Sequence, residues 1–101
     1  MALVYHFEWD AAKARTNAAK HGVTFRLAAT VFRDVLAITI YDEAHSEHEE
    51  RWVTLGRAEN GQSLVVIHTV QHTSPSDMLV RIISARVADR DEVRDYEDTP
   101  R

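Results

Sequence analysis

The 101-residue sequence predicts an α+β domain with helices packed on one face of an antiparallel sheet. Three observations carry that prediction. Residues 11–33 hold apolar and small side chains at helical spacing, residues 36–86 alternate with the period of strands between turn residues, and a capped helical segment opens at Asp89. The order is a strand, two helices, four strands in an antiparallel meander, and a closing helix. A chain of this length is expected to form one domain around a single core.

Tyr5-His6-Phe7-Glu8-Trp9 alternates and predicts a short first strand, stopped by Asp10. Asp10 is a good N-cap for a helix over Ala11–His21, a run of helix formers that Gly22 ends. In that helix Ala11, Ala14 and Ala18 form a small-residue arc suited to close packing on a sheet, while Lys13, Asn17, Lys20 and His21 share the opposite arc. The polar arc reads either as a solvated face with a dipole-favoured cationic end or as a binding stripe. Thr24 caps a second helix, in which Leu27, Ala28, Val31 and Phe32 recur as a core-facing stripe. Leu36, Ile38 and Ile40 then alternate with Ala37, Thr39 and Tyr41 as a half-buried strand, and Asp42–Glu50, without apolar period, is a polar loop. Arg51–Arg57 and Ser63–Val70 form a hairpin around Asn60-Gly61, and Gln71–Asp77 turns into the strand Met78–Arg86. Asp89 and Glu92 make a capping box for the last helix, Val93 and Tyr96 supply its apolar contact, and Asp98–Arg101 is a frayed tail.

Alternation along Met78–Arg86 places Val80, Ile82 and Ser84 on one side and Leu79, Arg81, Ile83 and Ala85 on the other. A guanidinium within an apolar run requires a paired carboxylate or an open cleft, because desolvating it alone is costly. Arg86 has opposite parity, but at a fraying strand end its side chain can turn to the same cleft, so two anion-binding groups converge there.

Composition narrows the chemistry. The chain has no cysteine, which excludes disulfides and thiolate zinc and suits a reducing cytoplasm. Met1–His6 lacks a basic leader region, and no run approaches the roughly 18 apolar residues of a membrane span, so a soluble, unexported, cytoplasmic protein is expected. The net charge is −4, yet charges fall in blocks: residues 11–33 hold five Lys or Arg and no acid, and residues 34–50 hold six acids and no Lys or Arg. The basic segments suit an anionic ligand and the acidic one a basic partner. His45-x-x-His48 has metal-ligand types but sits in a loop that fixes no geometry, so an acidic solvated or docking loop is the better reading, and no metal or cofactor is expected. His68 shares parity with Leu64, Val66 and Val70, which makes it a core histidine or, beside Arg81, a general acid or base. With three glycines there is no phosphate loop. Arginines on a sheet suit charge stabilisation at a phosphorane, and RNA cleaved by its own 2′-hydroxyl needs only that, orientation and proton transfer.

Phe7-Glu8-Trp9-Asp10, Lys13, Asn17, Lys20-His21-Gly22-Val23 and Phe25, then Arg51-Trp52 with Gly56, and Arg81-Ile82-Ile83-Ser84-Ala85-Arg86 with Glu92 and Tyr96 keep a consistent order and spacing. From Phe7 to about Glu97 the chain resembles the BrnT toxins. The resemblance implies a RelE-like ribonuclease toxin of a type II toxin–antitoxin pair. It also implies a ribbon-helix-helix BrnA antitoxin, a hetero-oligomer that represses its own promoter, and contact with operator DNA only through the antitoxin. Arginine placement and the resemblance together assign Arg81 and Arg86 to the scissile phosphate, Arg51 to assistance, Glu50 or His68 to proton transfer, and Lys13, Asn17, Lys20 and His21 to RNA. One departure is local: Thr24-Phe25-Arg26-Leu27 lacks the acid that the family often carries in the first turn of this helix, losing a capping box and adding a cation. A second class of function, a non-enzymatic protein-binding module of a transcriptional repressor complex, is favoured by the acidic total charge.

Overall fold

The computed structural model describes residues 3–100. Met1, Ala2 and Arg101, the outer ends of the expected start and tail, lie outside the described residues. Asp10 caps the first helix as expected, accepting the Lys13 N–H at 2.9 Å, and Gly22 ends it at φ 70°, a conformation that strains any residue with a Cβ. Helix α1 therefore spans Ala11–His21. Thr24 accepts the Leu27 N–H at 3.1 Å and opens α2, Phe25–Ala29, with no acid in its first turn. The single second helix expected from the sequence tightens into a 3-10 turn over Thr30–Arg33. Thr30 accounts for the change of pitch, since its hydroxyl donates to the Leu27 carbonyl at 2.6 Å and accepts the Glu59 N–H at 3.0 Å.

Five strands follow the order β1-β5-β4-β3-β2, with β1 at Val4–Glu8, β2 at Ile38–Tyr41, β3 at Trp52–Arg57, β4 at Ser63–Ser74 and β5 at Asp77–Val87. β2 to β5 form the expected antiparallel meander, but β1 pairs parallel to β5, so the sheet is mixed rather than purely antiparallel. The last turn is tighter than expected, because the Ser74 hydroxyl donates to the Asp77 carboxylate at 2.5 Å and the strands run up to that pair. Register divides the side chains between two faces. Thr54, Gly56, Leu64, Val66, His68, Val80, Ile82 and Ala85 face Val23, Phe25, Ala28 and Val31 of the α1–α2 layer and form the core. At Gly56 the sheet and the helix layer approach closely enough that a Cβ would stand 2.8 Å from Val31 Cγ1.

Helix α3, Arg90–Asp98, corrects the expectation that all helices share one face. Arg86 and Arg57 point away from the α1–α2 layer by register, and α3 reaches both, with Glu92 on Arg86 and the Tyr96 ring under Arg57. The same opposite face leaves Ile40 exposed, so β2 is less buried than its alternation suggests.

β5 itself contains the main departure from simple alternation. His68 pairs with Ile82 but Ile67 pairs with Ser84, which leaves Ile83 as an extra residue. Beyond this bulge Ala85 turns into the core and Ser84 and Arg86 join the face of Arg81, reversing their expected parities. β1 covers β5 only as far as Arg81. Past that point α1 replaces it: the Asn17 amide donates to Ala85 O at 2.8 Å and to Val23 O at 3.0 Å, and its oxygen accepts the Ala85 N–H at 3.1 Å. Asn17 is 7% exposed, so its amide serves the edge of β5 and is not part of a solvated face. Burying the edge of a strand is tolerable only where its polar groups are matched. Asn17→Ala should therefore cost about 2–3 kcal/mol in urea-denaturation stability, since it orphans buried donors and acceptors.

Candidate active site

Arg81 lies on the face away from the α1–α2 core, opposite Thr69 on β4 and Glu8 on β1. Arg51, one residue before β3, extends the row, and between the two guanidinium groups lies the Glu49 carboxylate. One Glu49 oxygen accepts a hydrogen bond from Arg81 Nη2, and the other lies 3.4 Å from Arg51 Nη2. The polar loop is held at its base, where Ser46 Oγ accepts the Arg51 N–H at 3.0 Å and donates to Asp42 O at 2.5 Å. Partial burial pushes the Glu49 carboxyl up, but hydrogen bonding and charge from Arg81 and then Arg51 outweigh it and hold its pKa below the ordinary value. Arg51 Nε is buried and has no hydrogen-bond partner among the described residues. A shallow cleft of about 390 Å³ opens here, with Glu8, Glu50, Thr69 and Gln71 along its walls beside Arg81.

Along β5 the next position on this face is Ser84, and α1 lies against it. Lys13, Lys20 and His21 border a depression of about 320 Å³ whose floor includes Ile83 and Ser84. Lys13, Lys20 and His21 thus border β5 past Arg81, with the buried Asn17 between them. His45 and His48 line an adjoining shallow surface with Glu47, Glu49 and Arg51, and His45 is paired with Asp42 at 3.0 Å. Among the described residues, no three His, Asp or Glu side chains converge as a metal site would require, and no helix is long and apolar enough to cross a membrane.

The sequence profile of the ribonuclease toxin BrnT, of type II toxin–antitoxin systems, matches residues 9–92. This chain belongs to the BrnT family. A ribonuclease-toxin family of this type implies an RNA substrate and an antitoxin partner. The BrnT fold is shared with the crystal structure of the Brucella abortus ribonuclease toxin BrnT, which is 24% identical, superposes with a TM-score of 0.57, and is matched over 89% of this chain and 99% of that one. Among curated proteins, none matches the chain.

Not every residue expected at the site lies at this cleft. Arg81 and Glu50 line the cleft, Arg51 lines the adjoining depression, and Glu49, which the sequence reading did not single out, bridges the two arginines and borders both. Only its place in a block of acids just before Arg51 hinted at it, since a loop has no period to mark which acid turns inward. Arg86 shares the face of Arg81 but stands four residues of β4 away, about 13 Å at strand rise, so the two do not converge on one phosphate. Its guanidinium is held by Glu92 at 2.7 and 2.8 Å, and Glu92 also accepts the Asp89 N–H at 2.9 Å to complete the capping box of α3. Arg86 thus fixes α3 to the sheet. Glu92→Ala removes both the ion pair and half of the cap, and should lower unfolding stability by about 1–2 kcal/mol, with the loss read from urea midpoints.

His68 faces the core and not the arginines. It is 1% exposed, lies edge-on to Phe32 at 4.9 Å, donates from Nδ1 to Thr69 O at 3.2 Å, and accepts from the Thr54 hydroxyl at Nε2 at 2.7 Å. Burial lowers its pKa from 6.5 to about 4, against a small opposing effect of the Thr69 carbonyl. The unfolded chain therefore binds this proton first as pH falls, so the stability owed to neutral His68 is complete above pH 6.5 and is lost toward pH 4. About 2 kcal/mol should be gone by pH 5. Thermal unfolding between pH 7 and 5 should show this slope in wild type and a flatter one in His68→Gln.

Proposed function

We propose that this BrnT chain acts in the cytoplasm as a metal-independent endoribonuclease that inhibits translation and arrests growth. In this reading a BrnA-type ribbon-helix-helix antitoxin neutralises it, in a complex that represses its own promoter and touches operator DNA only through the antitoxin. The observation that carries the reading is the Arg81–Glu49–Arg51 bridge on an open sheet face. Two guanidinium groups holding one carboxylate match the charge and oxygen spacing of a phosphodiester, to which arginine binds as a fork.

RNA enters by exchanging its phosphate for the Glu49 carboxylate. Arg81 and Arg51 then neutralise the charge that builds on the phosphorane as the 2′-hydroxyl attacks phosphorus, and the 5′-oxygen leaves to take a proton from water in the open cleft. Displaced from both cations, Glu49 regains an ordinary pKa and becomes a stronger base for the 2′-hydroxyl proton, with Glu50 on the same wall as the other candidate. Lys13, Lys20 and His21 meet the neighbouring phosphates along the strand. His68 and Asn17, both buried, take no part, and Arg86 acts through α3.

A second reading, the non-enzymatic repressor module, is favoured by the carboxylates Glu8, Glu49 and Glu50 crowding one side of Arg81. Purified protein incubated with total RNA in EDTA separates the two. Wild type should cleave, Arg81→Ala should be slower by about 10²–10³-fold, and Glu49→Gln by about 10²-fold or more. Expression of the same variants should relieve growth arrest in that order. If Arg81→Ala cleaves and arrests as wild type does, the site is wrong, and if wild type cleaves nothing the module reading replaces this one.

A further inference from the structure

An aliphatic row lies beside the arginine row on the same face. Ile40, Val53 and Ile67 are register partners across β2, β3 and β4, and Ser84 of β5 completes their line. Ile40 is 59% exposed, and Val53 and Ile67 are half-buried. Two residues along the strands, about 7 Å away, come Arg51, Thr69 and Arg81. The surface thus joins an unpartnered apolar stripe to a cation pair. Beyond the end of β2 the loop adds the exposed acids Glu43 and Glu47 as an acidic rim, while Asp42 is taken up by His45.

We infer that this face is where the antitoxin docks, laying the apolar side of an amphipathic helix along Ile40, Val53 and Ile67 and inserting a carboxylate between Arg81 and Arg51 in place of Glu49. The inference rests on the toxin–antitoxin reading given above and adds to it the location and chemistry of the contact. Adjacent strands are about 4.8 Å apart, so the row presents its steps at nearly the 5–6 Å spacing of helix side chains three or four residues apart. Glu49 demonstrates that a carboxylate fits between the guanidinium groups. RNA suits the aliphatic row less well, because bases stack on aromatic rings, and the aromatic pair of these strands, Tyr41 and Trp52 at 5.1 Å, is on the opposite face by register. The acidic rim calls for Lys or Arg at the end of the partner helix that lies over β2. Docking of this kind inhibits directly, since it fills the phosphate position.

The test uses the full chain and the small protein encoded by the adjacent gene, with affinity measured by titration. Ile40→Glu places a charge on an exposed edge position that tolerates it in the free protein, and should weaken the complex about 10- to 100-fold. Val53→Thr keeps the branched shape and adds one hydroxyl, and should weaken it by a smaller factor. Glu49→Gln removes the internal competitor and should tighten binding about 2- to 5-fold. Circular dichroism and Tm confirm that each variant is folded. If wild type binds and Ile40→Glu and Val53→Thr bind equally well, the docking face is wrong while the toxin–antitoxin reading stands. If wild type itself does not bind the adjacent gene product, that reading fails and this inference with it. A third result also overturns the inference: both variants lose affinity for an RNA oligonucleotide with a 2′-deoxy block yet keep it for the protein, which would assign the row to RNA.

Discussion

The extra residue that Ile83 places in β5 is the constraint on which the rest of the structure depends. With unbroken alternation from Val80, Ser84 and Arg86 would point at Phe25 and Val31, and Ala85 would point into the open cleft. Burying a guanidinium under a helix layer carries a desolvation cost that no carboxylate in that layer offsets. The bulge reverses the parity where β1 ends, at the Glu8–Arg81 pair. Downstream, Ala85 is small enough to lie beneath α1, and its main-chain groups are the ones that the Asn17 amide satisfies. Upstream, Arg81 keeps its place opposite Thr69. One inserted residue therefore lets a single strand serve a strand neighbour, a helix neighbour and the site.

Local chemistry made most elements legible in the sequence. Asp10, Gly22, Thr24 and the Asp89–Glu92 box act within a turn of their own position, so their effects do not depend on distant packing. Parity along β4 likewise put His68 with Leu64 and Val66, and the core reading of His68 was available from that alone. What escaped were features defined by a distant partner. Asn17 looks like one more polar residue on a helical stripe until the uncovered edge of β5 is known. Ile83 gives no sign of a bulge, because Arg81-Ile82-Ile83 is equally good strand sequence with or without a slip. Arg86 could be paired with Arg81 only by assuming that its end of the strand was loose, and Glu92 instead holds it. Glu49 and Glu50 are adjacent acids in a loop, and the choice between them follows from the path set by Ser46 and Asp42.

The proposed phosphate site is consistent with an acidic protein once charges are counted locally. At physiological ionic strength the screening length is about 8 Å, so acids on the far side of the molecule contribute little at the cleft. The groups that count are Arg81 with Glu8, Glu49 and Glu50, Arg51 on the far side of Glu49, and the α1 cations beside Ser84. Exchange of a carboxylate for a phosphodiester replaces one negative charge by another. In neither state are two partly buried guanidinium groups left without a counter-charge, which avoids the steepest cost that such a pair can incur. The net charge of −4 then acts on approach rates more than on the bound state.

Three anions compete for the same arginines under the proposed scheme, and each is helped by a different physical effect. Glu49 is tethered by a short loop, so its effective concentration is high, but it brings no other contact. RNA adds electrostatic contacts to Lys13, Lys20 and His21, and those weaken steeply as salt rises. An antitoxin carboxylate would bring burial of Ile40, Val53 and Ile67, a contribution that screening does not touch. The advantage of the antitoxin over RNA should therefore grow with ionic strength even though both use an ion pair at the centre. A toxin whose substrate is held mainly by charge is most securely blocked by a partner held mainly by apolar contact, and the two rows on this face provide one of each.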